Sequence, residues 1–238
     1  RPGSYRVERG MTVMQALAAG GGPTARGSAS RLRLHRTGTD TQAVEVKGVA
    51  ISGSPGWGVV NHDSNVNVSD SVSYNVFGAH YVTELGSEQG SFTNNVAIRS
   101  GGVGSLDAPK DRHAIDDFGH TGEGFWLEGG NVVVEGNVAV GMRSSGFTFF
   151  GVPSDQHVQF RGNVTLQSDR GLVIWVSRFP RRNFPDTPPA GTVWSDVRDN
   201  FLHGGVLMAY SSVIEFRNNT LVSFDNRLQS TGFSNNGV

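Results

Sequence analysis

Cysteine is absent from the 238 residues. That excludes disulfide staples and thiolate metal sites, and leaves the compartment open. No apolar run approaches the roughly 18 residues that a membrane-spanning helix needs, so no transmembrane segment is expected. Charge is sparse and balanced, with 17% Asp, Glu, Lys and Arg and a formal net charge of −1. Bulk electrostatics therefore give no pointer to nucleic acid. Walker-type loops, zincin motifs and Ser-nucleophile elbows are missing too. The chain opens on Arg1 without a signal peptide, which suggests a mature form or a piece of a longer chain.

What is there is glycine, at 33 positions, with plentiful Asn and short apolar runs. That balance favours many short strands and tight turns over helices. Two phrases recur. A Gly followed by alternating apolar residues stands at Gly56, Gly78, Gly124, Gly146, Gly171 and Gly205, with a stub at Gly232. A second phrase, as in "VEGNVAV", places an Asn at 95, 137, 163, 200 and 219. The interval between Gly phrases runs from 22 to 27 residues, apart from two longer ones. The stretch from Gly78 to Gly124 fits either two turns or one turn with a long loop, and that from Gly171 to Gly205 holds the Pro-rich insertion "RFPRRNFPDTPPAG".

Such a period, with Asn and Gly at fixed points, signals a solenoid whose rungs are strands. One rung cannot bury its apolar face alone, whereas stacked rungs share an interior. An Asn at an inward bend can hydrogen-bond the same Asn one rung away. The expected fold is all-β, a right-handed parallel β-helix over residues 47–238. A β-sandwich would show more hairpin turns and less regular spacing.

Residues 1–46 read differently. "GSYRVE" suggests a strand and "MTVMQALAAGGG" a short helix, with Thr12 as N-cap and Gly20 to Gly22 ending it. "SRLRLHRT" and "QAVEV" alternate as half-buried strands do. The stretch "RPGSYRVERGMTVMQALAAGGGPTARGSASRLRLHR" resembles the SLBB domain of bacterial polysaccharide-export proteins. The resemblance implies a small α+β, β-grasp segment that here lacks its first strand, and a link to glycan passage.

Strands alternate faces. The first and third residues after each Gly are apolar, so they should face inward. The second and fourth should then face outward. Counted this way, His80, Trp126 and Thr148 form one outer column and Val82, Glu128, Phe150 and Trp175 the next, with His62 and Glu84 at its edge. Aromatic faces stack on sugar rings, and imidazoles and carboxylates do acid–base work or bind metal. His80, Glu84, Glu128 and His62 are therefore the candidate catalytic groups. Trp126, Phe150, Trp175 and Thr148 are the candidate substrate contacts. A plainer reading has the loops at 100–123 and 178–194 covering these aromatics as a second small core. The loop "SLDAPKDRHAIDDFGH" adds Asp116 and Asp117, candidate ligands for Ca²⁺ or ordinary solvated carboxylates.

The segments "YNVFGAHYVTELGSE" and "GEGFWLEGGNVVVEGNVAVGMRSSGFTFFGVP" resemble the parallel β-helix of the cell-migration-inducing hyaluronidase, of fibrocystin-like proteins and of bacterial relatives. The resemblance implies an extracellular or cell-envelope protein whose partner is a polysaccharide, hyaluronan-type glycans being the animal example. It carries over the positions of His80 and Glu84. The expected function is cleavage, by hydrolysis or elimination, of a glycan laid along the outer face. The alternative is a non-catalytic glycan-binding or structural repeat protein linked to export.

Overall fold

The computed structural model describes residues 43–102, 119–152, 156–177, 194–209, 214–222 and 228–231. The readings made for residues 1–42, and for Asp116 and Asp117, lie outside these residues. The described chain forms three seven-stranded sheets in which every pairing is parallel and each strand pairs with its counterpart one turn away. This is the right-handed parallel β-helix. One full turn runs through Gln89–Thr93, Val96–Ser100 and Phe125–Glu128, one strand from each sheet.

Alternation builds the interior. Tyr81, Phe125, Phe147 and Leu172 lie side by side in register and are fully buried. The rings of Tyr81, Phe125 and Phe147 stack at 4.7 and 4.5 Å between centroids. Phe92 and Phe160 from the first sheet meet this stack edge-on. The second sheet contributes small residues at its centre, in the inward column Ser73, Ala97, Ala139 and Thr165. Narrow side chains there leave room for the broad ones opposite.

The Asn phrase is an amide ladder. Asn137 Oδ1 accepts from the backbone N–H and the Nδ2 of Asn95, at 2.9 and 3.1 Å. Its own Nδ2 donates to the Phe92 carbonyl and to Asn163 Oδ1, at 2.9 and 3.0 Å. The pattern continues through Asn163 and Asn200 to Asn219. Each buried amide thus satisfies its neighbour's bend, at a site where an unpaired polar group would cost about 1–3 kcal/mol. The residue before each ladder Asn holds a left-handed φ: Asn94, Gly136, Gly162, Asp199 and Asn218. Gly, Asn and Asp are the types that tolerate it.

One open alternative is settled and two expectations need amendment. The interval from Gly78 to Gly124 is one turn with an insertion, since Tyr81 pairs directly with Phe125. The strand within "QAVEV", read as part of the N-terminal unit, is Val44–Lys47 and pairs with Asn65–Ser69 as the first described strand of the helix. The last described strand of the third sheet is Leu228–Thr231, paired with Val206–Ala209, and it precedes the phrase at Gly232.

Candidate functional site

The third sheet carries the Gly phrases, and its register decides which side chains meet. Val59, Tyr81, Phe125, Phe147, Leu172 and Val206 are aligned. The residues just before them are Gly58, His80, Gly124, Gly146, Gly171 and Gly205. His80 therefore takes the place that Gly takes on every neighbouring rung, and counting from Gly78 misplaces its rung by two residues.

The consequence for His80 is a reversal. It was expected to face outward; it is fully buried. A Cβ at this corner points inward: one built on Gly146 would lie 2.2 Å from Thr165 Cγ2, and one on Gly124 2.9 Å from Ala139 Cβ. On the His80 rung the residue met is Ser73, whose hydroxyl lies 2.8 Å from Nδ1. Burial lowers the imidazole pKa to about 4, partly offset by the Arg99 and Ser73 backbones. His80 is thus neutral at pH 7 and faces the interior.

The outer columns shift with the register. One runs Val60, Val82, Trp126, Thr148 and Val173. Its middle is covered. Val82, Ala79 and Trp126 form a second apolar cluster with Trp57 and Phe150 packed against it. The segment Gly119–His120 lies over it: Trp57 Nε1 donates to the Gly119 carbonyl at 2.6 Å, and the Trp57 ring stacks on His120 at 4.8 Å. Trp126 is 5% exposed, and the buried Thr148 hydroxyl is paired with that of Ser145. These two expected substrate contacts belong to the plainer reading, a small second core.

The next column is open. Beyond the paired residues Asn61, Thr83 and Leu127 come His62, Glu84 and Glu128; Glu128 pairs with Phe150, which pairs in turn with Trp175. His62 Nδ1 meets Glu84 Oε2 at 2.9 Å, both side chains being well exposed. Phe150 stacks on Trp126 at 5.2 Å and tilts toward Trp175 at 6.4 Å. Trp175 is 36% exposed. Five of the proposed residues, His62, Glu84, Glu128, Phe150 and Trp175, thus occupy one line across five rungs.

Glu128 has its pKa raised, first by burial and then by the charges of Glu88 and Glu84. Glu88 is a residue that sequence reading missed. It is 1% exposed, and its Oε1 accepts from the backbone N–H groups of Leu85, Glu84 and Asp63 at 2.7, 2.9 and 3.3 Å. It fixes the turn that carries Glu84. Gln156 fastens the same turn to the next rung, donating to the Gly86 carbonyl and accepting from the Gly130 N–H. The available signal was "TELGSE", a Gly-Ser turn closed by an acid able to cap its own N–H groups. Glu123 was missed as well. It is buried, its pKa is raised by burial, and it accepts the Thr121 hydroxyl. Among the described residues, no three His, Asp or Glu side chains converge as a metal site.

Residues 32–170 match the CEMIP beta-helix family, and residues 1–46 match the SLBB domain. The first match spans more than half of the chain, which therefore belongs to the CEMIP beta-helix family. Both matches are to modules of polysaccharide-associated proteins. No curated protein and no solved structure was found to match the chain.

Proposed function

We propose that this is a secreted or cell-envelope glycan hydrolase that works along the open column of the third sheet. The observation that carries this reading is the continuous row of His62, Glu84 and Glu128 leading into Phe150 and Trp175. Glycoside hydrolysis needs one carboxylic acid to protonate the leaving oxygen and a carboxylate to act as base or nucleophile. Glu128 takes the first role, because burial and its acidic neighbours favour its protonated form. Glu84 takes the second, held in place by His62 and by the turn that Glu88 caps. Phe150 and Trp175 give a sugar ring an aromatic floor. His80 is left as a buried support for the rung rather than a catalytic group.

The test is depolymerisation of a panel of uronate-containing and neutral glycans, with Ca²⁺ and with chelator. Release of reducing ends without absorbance from unsaturated uronate is expected. Glu128→Gln and Glu84→Gln should each lower the rate at least about 100-fold, the scale of lost acid–base catalysis. Unsaturated products would make the protein a lyase. Glycan retention without cleavage, unchanged in Glu84→Gln but weakened in Trp175→Ala, would make it a binding module. Loss of cleavage in chelator would bring Asp116 and Asp117 into the site as Ca²⁺ ligands.

A further inference from the structure

The outer face of the second sheet is unusually apolar for a surface. Two columns point outward there. One is Ala50, Val72, Val96, Val138, Val164, Phe201 and Thr220. The other is Ser52, Tyr74, Ile98, Val140, Leu166, His203 and Val222, each in line with the first. Neither column holds a carboxylate, ammonium or guanidinium. Of the nine large hydrophobic residues that stand most exposed among the described residues, five are here: Val72, Tyr74, Leu166, Phe201 and Val222. Solvent-facing strands of a soluble β-helix would alternate apolar-in with polar-out. Here both sides of the strand are apolar, the pattern of a sheet covered on both faces.

We propose that this face is the dimer interface between two copies of the chain, packed face to face with their stacks running in opposite directions. Three features select a second copy. The first is electrostatic: the two columns meet without burying a charge, the exposed Arg99 standing at their edge beside Ile98, whereas a partner with an ordinary surface would bury one. The second is periodicity: both copies present ridges at the same rung spacing of about 4.8 Å, so the ridges of one can seat between those of the other. The third is the distribution of bulk along the stack. Reversing the stack direction places the second rung, with Val72 and Tyr74, opposite the sixth, with Phe201 and His203. The small Ala50 and Ser52 of the first rung then lie opposite Thr220 and Val222 of the last. The middle rung, Val138 and Val140, lies on the two-fold axis and meets itself.

The area sets the affinity. Seven rungs span about 29 Å and strands of three to five residues about 10–16 Å, which gives about 300–450 Å² per copy. The total of about 600–900 Å² lies below the standard size for specific interfaces, so the dimer should be weak and should form and dissociate with concentration.

Sedimentation equilibrium of the full chain tests this. The wild type should pass from monomer to dimer as concentration rises to roughly 100 μM. Val72→Glu and Phe201→Lys, each placing a charge against an apolar side chain one rung in from an end of the contact, should each be monomeric throughout. Because these two positions oppose each other across the two-fold, an equimolar mixture of the variants should regain dimer. Leu85→Glu, exposed but off this face, should dimerise as the wild type does. A cooperative thermal transition in every variant keeps the comparison between folded proteins. A wild type that stays monomeric, whether or not it floats with lipid vesicles, overturns the proposal. So does a dimer that survives Val72→Glu, or a mixture that stays monomeric.

Discussion

His80 shows how one residue can change sides. Its neighbours in the column are Gly, so the corner has no space for a side chain except where Ser73 stands opposite. The imidazole that fills it is neutral when folded, with a pKa near 4 against 6.5 in the unfolded chain. The unfolded state therefore binds more protons between these values, and stability falls as pH drops from 6.5 toward 4. The loss from this group reaches about 3 kcal/mol at pH 4. His80→Gln should flatten that part of the profile, as read by denaturant unfolding at pH 7.5 and pH 4. An unchanged slope would mean that the ring is not buried neutral. Glu128 has the opposite sign. Its raised pKa means that the folded state binds more protons, so its ionisation destabilises the fold as pH rises above the ordinary carboxyl value. Glu128→Gln should therefore raise the melting temperature at pH 7 and leave it nearly unchanged at pH 4, while abolishing cleavage.

At the scale of the element, the amide ladder and the glycine corner hold each turn to the next. Removing Asn137 leaves the Asn95 backbone N–H without its acceptor and takes one hydrogen bond each from the Asn95 amide, the Phe92 carbonyl and the Asn163 carboxamide oxygen, the Asn95 amide keeping the Val68 carbonyl and the Asn163 oxygen keeping the backbone N–H of residue 137. Asn137→Ala should cost about 3–4 kcal/mol, the sum of one buried N–H left unpaired and three further bonds lost. Asn219, half-exposed at the ladder's end, should cost only about 1 kcal/mol on the same change. Equal losses at the two sites would argue against a ladder that depends on burial. The glycine corner fails by crowding instead. Gly146→Ala should cost about 2 kcal/mol, because the new methyl meets Thr165 Cγ2. Thr165→Ser removes that methyl and should recover part of the loss in the double variant.

For the whole molecule, the repetition in the sequence translated into repetition in space. The Asn at 95, 137, 163, 200 and 219 could be read as stacked amides because a buried amide has few other ways to satisfy four hydrogen-bonding sites. The inward positions were equally legible at Phe125, Phe147 and Leu172, since a period of two has only two faces. Legibility failed at the rung of Gly78. There the residue that looked like the corner glycine stands two places early, and nothing local marks the true corner at His80.

The acid–base row was half visible for the same reason. His62, Glu84, Glu128, Phe150 and Trp175 were all picked out by residue type. Their single line appeared only when Tyr81 was seen opposite Phe125. Glu88 was invisible as a support because its partners, Asp63, Glu84 and Leu85, come from two different turns. The sequence by itself determined the stacked-strand architecture, the amide ladder and the apolar interior, because these follow from side-chain types recurring at a fixed period. Only the tertiary structure decided which rung residue lies above which. Parallel register is set by hydrogen bonds between turns, across insertions of unequal length, and a shift of two residues keeps every hydrophobic face while moving every functional column.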